Sequence, residues 1–136
     1  MNPAIEPISS SDLLGIARSA AGHASAPYSH FPVGAAVEGD DGQVYRGCNV
    51  ESASYPLTIC AERVAIFTAI ASGARPERIA VSCLRGDTSN PHSLMPCGAC
   101  RQVMMDQMDL GAQVLVDGVG EFTVEELLPQ GFRLPG

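Results

Sequence analysis

The sequence predicts an α/β fold: a three-layer α/β/α sandwich on one mixed sheet of about five strands. Segments with apolar residues at helical spacing alternate with short β-branched segments, and two of the latter are joined by a short turn containing Asp40-Asp41-Gly42. The resulting order, α-β-β-α-β-α-β-β, places an antiparallel hairpin ahead of alternating β and α units, which calls for helices on both faces of the sheet. With 136 residues, 46% of them hydrophobic, the chain is expected to form one domain, residues 1–136, around one core.

The first helix is read over Ser11 to His23. Leu13, Leu14, Ile16, Ala17, Ala20 and Ala21 fall at helical spacing, Ser10 or Ser11 is the N-cap, and Gly22 lies near the end. Ala26-Pro27-Tyr28-Ser29 breaks that pattern. Val33 to Val37 and Gln43 to Cys48 follow as the hairpin strands. After a loop from Asn49 to Thr58, the apolar stretch Ile59 to Ser72 reads as a largely buried helix closed by Gly73. Ile79 to Leu84 is a central strand, Gly86 to Met95 a polar loop, and the segment from Arg85 to Leu94 is expected to be the most mobile. A third helix begins at Pro96 or Cys97, because proline suits a first turn, and runs to Met108. Val114 to Val116 and Glu121 to Thr123 complete the strands, and Val124 to Leu128 is a terminal helical turn.

Charge and cysteine content narrow the function. A formal net charge of −7, with eight scattered Lys and Arg residues, argues against a polynucleotide partner, whose affinity comes largely from neutralised phosphates. A small uncharged or cationic substrate fits better. No run of about 18 apolar residues occurs, and Met1-Asn2-Pro3-Ala4-Ile5-Glu6 lacks the pattern of a secretory signal, so a cytoplasmic protein is expected. Five cysteines form an odd set, and metal ligation or catalysis explains them better than a disulfide framework. Cys48 and Cys83 sit in strand-like segments and read as small buried apolar residues.

The other three cysteines carry the chemistry. Cys97 and Cys100 are spaced i, i+3 at the start of a helix and can face one ion, and Cys60, at the start of the preceding helix, completes three thiolates. Three protein ligands leave the fourth tetrahedral position open, as a catalytic zinc requires. All three cysteines are expected in first turns, where the helix N-terminus favours the thiolate. Glu62, two residues after Cys60, is free for proton transfer to and from the reacting atoms. Arg63 is placed to offset the thiolate charge through hydrogen bonds to sulfur, or else is a solvated helix arginine.

Cys60-Ala61-Glu62-Arg63 together with Pro96-Cys97-Gly98-Ala99-Cys100-Arg101-Gln102 resembles the cytidine deaminase family, in its small homotetrameric, three-cysteine form. The likeness runs from Tyr28 to Phe132. It includes Phe31-Pro32-Val33-Gly34-Ala35-Ala36, Gly47-Cys48-Asn49-Val50-Glu51, Ala53-Ser54-Tyr55-Pro56-Leu57 and Leu127-Leu128-Pro129-Gln130-Gly131-Phe132. The resemblance implies one Zn²⁺ per subunit on Cys60, Cys97 and Cys100, with Glu62 catalytic. It also implies that Asn49 and Glu51 hold the ribose 3′-hydroxyl, that Phe31 packs on the pyrimidine, and that the Ala61 N–H donates to the base 2-carbonyl. Tyr55 and Phe132 match residues that neighbouring subunits supply to the pocket of a homotetramer. The alternatives to these roles are loop capping for Asn49 and Glu51 and core filling for Phe31 and Phe132. The chain departs from the family at Ser52, where Asn is usual, and at Met95, where Ser or Thr is usual.

The implied function is hydrolytic deamination of cytidine and deoxycytidine in pyrimidine salvage. Two alternatives are a deaminase of a cytosine nucleoside antibiotic such as blasticidin S, and a non-catalytic zinc-stabilised nucleoside-binding module. Asn49 and Glu51 favour an ordinary ribose over the antibiotic, and Glu62 has no use in an inactive binder. The acidic balance and Cys60, where polynucleotide-acting relatives typically present His, disfavour tRNA or DNA editing.

Overall fold

The computed structural model describes residues 6–136; Met1 to Ile5, part of the segment used to discount a secretory signal, lie outside the described residues. Helix α1 spans Ser10–Ala21, strands β1 and β2 Val33–Gly39 and Val44–Cys48, helix α2 Ala61–Ala71 and strand β3 Pro76–Cys83. Helix α3 covers Gly98–Gln107, β4 Gln113–Val116, β5 Gly120–Thr123 and α4 Val124–Leu127. Single 3₁₀ turns at Tyr55–Leu57 and Pro91–Leu94 interrupt the two long loops.

The strands form one sheet in the order β2-β1-β3-β4-β5, parallel only between β3 and β4. Side-chain alternation along the strands divides the core in two. Ala36, Ala80 and Leu115 meet Leu13 and Ala17 of α1 on one face. Ala35, Val37, Ile79, Val81, Val114 and Val116 meet α2, α3 and α4 on the other. The expected three layers are therefore present, with α1 alone on its side.

Local chemistry accounts for the boundaries. Ser9, rather than Ser10 or Ser11, caps α1 by accepting from the Asp12 N–H at 3.1 Å. The hairpin turns at Gly42, whose φ of 78° suits glycine. Strand β3 starts at Pro76, three residues before the expected Ile79, because Arg78 finds its counter-charge on the neighbouring strand: its Nε lies 3.2 Å from Glu38 Oε1. The same pair straps down the entry to α1, as Glu38 Oε2 accepts from the Ile8 N–H at 2.8 Å and Arg78 donates to Ser10 Oγ at 3.1 Å. A capping box between Thr123 and Glu126 starts α4. The loop expected to be polar throughout ends differently, with Leu94 buried in the core.

Close approaches of helix to sheet set the site. A methyl group added at Gly34 would stand 1.9 Å from the Ala17 carbonyl oxygen of α1. One added at Gly47 would stand 2.4 Å from both the Ala61 carbonyl oxygen and the Ala65 nitrogen. Gly47 thus lets the first turn of α2 lie directly on β2.

Candidate active site

Cys60 and Cys97 are the N-caps of α2 and α3, in extended backbone, and Cys100 stands in the first turn of α3. The expectation of three first-turn cysteines is corrected for two of them. Neither N-cap sulfur is used in capping, so both are free to turn toward a shared centre. The three sulfurs lie within 4.8 Å of one another, with Cys60 to Cys97 at 3.8 Å and Cys97 to Cys100 at 3.6 Å. Sulfurs sharing one tetrahedral zinc at about 2.3 Å stand about 3.8 Å apart, so the donor set fits the ion. Among the described residues no fourth His, Cys or carboxylate joins the cluster.

The nearby Cys100 sulfur, and then Arg63 and Cys97, hold the Cys60 thiol below its ordinary value, while Cys60 and burial push the Cys100 thiol up. Arg63 donates to Cys60 Sγ at 3.4 Å, the sulfur contact expected of it, which raises its own pKa. Arg101 locks the turn that presents Cys97, donating to the Pro96 carbonyl at 2.8 Å and the Leu127 carbonyl at 2.9 Å.

Glu62 is 5% exposed. Burial, more than any charge, lifts its carboxyl to about 7, the range in which a group both takes and returns protons at neutral pH. Glu62, Cys60 and Cys97 line a cavity of about 370 Å³ with Phe31, Asn49, Glu51, Tyr55 and Ala61. Eight of the site residues expected from the sequence therefore meet there, besides the buried Cys100 beneath. Phe132 does not; it lines a separate cleft beside Gln102 and Met105, 67% exposed.

The loop after β2 is tied at both edges. Ser25 and Val50 form bridges with Val50 and Ile59, placing Glu51 and Thr58 at the cavity wall. Asn49 braces the opposite segment, its Oδ1 accepting from the Val33 N–H at 2.8 Å and its Nδ2 donating to the Phe31 carbonyl at 2.9 Å. Ser52 accepts from the Ser54 N–H at 3.0 Å, so a serine does brace this loop, and Met95 lines the cavity. Ser29, Thr58, Ser93 and Cys83 also line it and escaped the sequence reading, because they belong to no spaced motif. Cys83, read as bland core, sits beside Glu62, and burial raises its thiol to about 11, which keeps it neutral.

The family model for the cytidine and deoxycytidylate deaminase zinc-binding region matches residues 8–114, a span that contains all three clustered sulfurs. The chain belongs to the cytidine deaminase family. It is 42% identical over 124 residues to the cytidine deaminase of Sporosarcina psychrophila, covering 88% of each chain. It is 45% identical over 123 residues to that of Mycobacterium tuberculosis, covering 90% of this chain and 88% of the relative. Among solved cytidine deaminases, that of Burkholderia pseudomallei superposes with a TM-score of 0.81 at 41% identity, over 92% of this chain and 100% of the other. That of Mycobacterium leprae superposes with a TM-score of 0.79 at 37% identity, over 90% and 99%. The five-stranded mixed sheet flanked by helices is thus the cytidine deaminase fold.

Proposed function

We propose that the protein hydrolyses cytidine and deoxycytidine to uridine and deoxyuridine with release of ammonia, using one Zn²⁺ per subunit. The observation that carries this reading is a buried glutamate beside a three-sulfur cluster at the wall of a nucleoside-sized cavity. Cys60, Cys97 and Cys100 hold the ion, which when bound supplies a Lewis acid that makes water a nucleophile at neutral pH. Glu62 takes a proton from the attacking water on a carboxylate oxygen and delivers it to the pyrimidine N3; it then takes the remaining proton from the hydroxyl formed at C4 and passes it to the amine, which leaves as ammonia as the C4 carbonyl forms. Arg63 tempers the charge on the Cys60 sulfur, Phe31 packs on the base, and the Ala61 N–H, at the open N-terminus of α2, donates to the 2-carbonyl.

The hydrogen-bond inventory supports a ribose hydroxyl between Asn49 and Glu51. Three of the four lone pairs of Glu51 are taken, by the Tyr28 and Ser29 N–H groups on Oε1 and by the Ser29 hydroxyl on Oε2, which leaves one on Oε2. Asn49 has one N–H to spare. A hydroxyl needs one acceptor and one donor, and Glu51 Oε2 and Asn49 Nδ2 can supply them. The four-subunit assembly, with Phe132 completing a neighbouring cavity while Tyr55 lines the cavity of its own chain, and a cytoplasmic role in pyrimidine salvage belong to the same reading. Among the described residues no helix is long and apolar enough to cross a membrane.

The test is to incubate zinc-loaded protein with cytidine, deoxycytidine and blasticidin S, following ultraviolet loss and ammonia. Turnover of the two nucleosides is expected. Zinc-bound protein without turnover on any of the three would leave only a binding module, and turnover of blasticidin S alone would make the antibiotic the substrate.

A further inference from the structure

The bonds around Glu51 converge on a side chain without a role so far. Ser29 Oγ donates to Glu51 Oε2 at 2.5 Å and accepts from the Phe31 N–H at 3.0 Å. A serine hydroxyl has one proton, and with the Phe31 N–H directed at its lone pair that proton goes to Glu51. The turn that carries it is stiff. His30, next in sequence, has φ 55°, a left-handed conformation costly for a residue with a side chain. It is held there by its N–H on the Ala26 carbonyl at 3.0 Å and by Arg85 on its own carbonyl at 3.4 Å.

On the reading of Glu51 as the acceptor of a ribose hydroxyl, we propose that Ser29 is a positioning residue for substrate: it fixes Glu51 so that the last free lone pair of Oε2 is presented to that hydroxyl. The two backbone N–H groups bond only Oε1, so without the serine hydroxyl the carboxylate can pivot about that oxygen and Oε2 loses its aim. Because Ser29 also anchors the Phe31 N–H, the ribose acceptor and the aromatic at the base share one mount.

The experiment compares the wild type, Ser29→Ala, Ser29→Thr and Glu51→Gln on cytidine and on 2′,3′-dideoxycytidine, which has no hydroxyl for Glu51 to receive. Ser29→Ala is expected to raise KM for cytidine about tenfold, the effect of losing one charge-assisted hydrogen bond, with a much smaller change in kcat. On dideoxycytidine the penalty in kcat/KM is expected to be severalfold smaller, because only the share that acts through Phe31 remains. Ser29→Thr keeps the hydroxyl and retains the preference for cytidine, so it reads the proposal even if the alanine variant folds poorly. Equal losses for Ser29→Ala on both substrates, or loss of the preference in Ser29→Thr at an unchanged Tm, would overturn the role of Ser29. If Glu51→Gln itself fails to separate the two substrates, the ribose reading of Glu51 is what falls.

Discussion

Glu62 lies in the first turn of α2, where that helix abuts the sheet. An exposed glutamate is almost wholly ionised at pH 7 and a weak base, whereas burial brings this carboxyl to about 7. In the role proposed for it, replacing Glu62 with glutamine keeps its shape but removes the proton carrier. Glu62→Gln is therefore expected to bind a full equivalent of zinc by metal analysis and to bind cytidine. Its kcat should fall about 10²–10⁴-fold. A near-normal rate would remove Glu62 from the mechanism.

At the scale of elements, two helix N-termini meet at the metal-binding cluster, and each is placed by packing at some distance from it. Gly47 seats α2 on β2, and Arg101 ties the start of α3 to the end of α4. On the far face α1 is pinned by Arg18, which forms two bonds to Asp117 at 2.7 and 2.8 Å, while the buried Ser82 donates to Asp117 at 2.8 Å. The Arg18 hydrogen bonds, and then that of Ser82, hold the Asp117 carboxyl below its ordinary value of 3.8. A depressed carboxylate contributes stability above its unfolded pKa and loses it as pH falls through the folded one. Asp117→Asn is thus expected to cost about 1 kcal/mol at pH 7, moderated by solvent around Arg18. In denaturant titrations the gap to wild type should start to close near pH 4 and disappear at lower pH. A gap that persists undiminished below the folded pKa would show that the ionised carboxylate contributes nothing.

For the molecule as a whole, the exposed apolar residues are telling. Tyr55 is 76% and Leu57 66% exposed beside the cavity, and Phe132 and Leu134 protrude from the C-terminal segment. A single chain leaves these apolar side chains in water, and pairing them across subunits would both bury them and close the cavity. Light scattering is expected to give four times the chain mass of 14.2 kDa. Mixing and reassembling Glu62→Gln with Phe132→Ala should recover activity, because hybrid sites then combine an intact Glu62 with an intact Phe132 from a neighbour. A fully active monomer, or no recovery in a reassembled tetramer, would contradict the shared site.

The sequence alone was enough for the order of elements, the two-sided sheet and the metal-binding residues, because these are written in local periodicity and short spacings. Cys97 and Cys100 are three residues apart, and Cys60 and Glu62 are two. Ser29, Thr58, Cys83 and Ser93 were not legible, since each is an ordinary residue that gains meaning only from what the fold brings beside it. Nor were the cap positions of Cys60 and Cys97 or the early start of β3, which depend on contacts between elements remote in sequence. The basicity of Glu62 belongs to the same group: a carboxyl near 7 is a property of burial, and burial is decided only when α2 closes on the sheet.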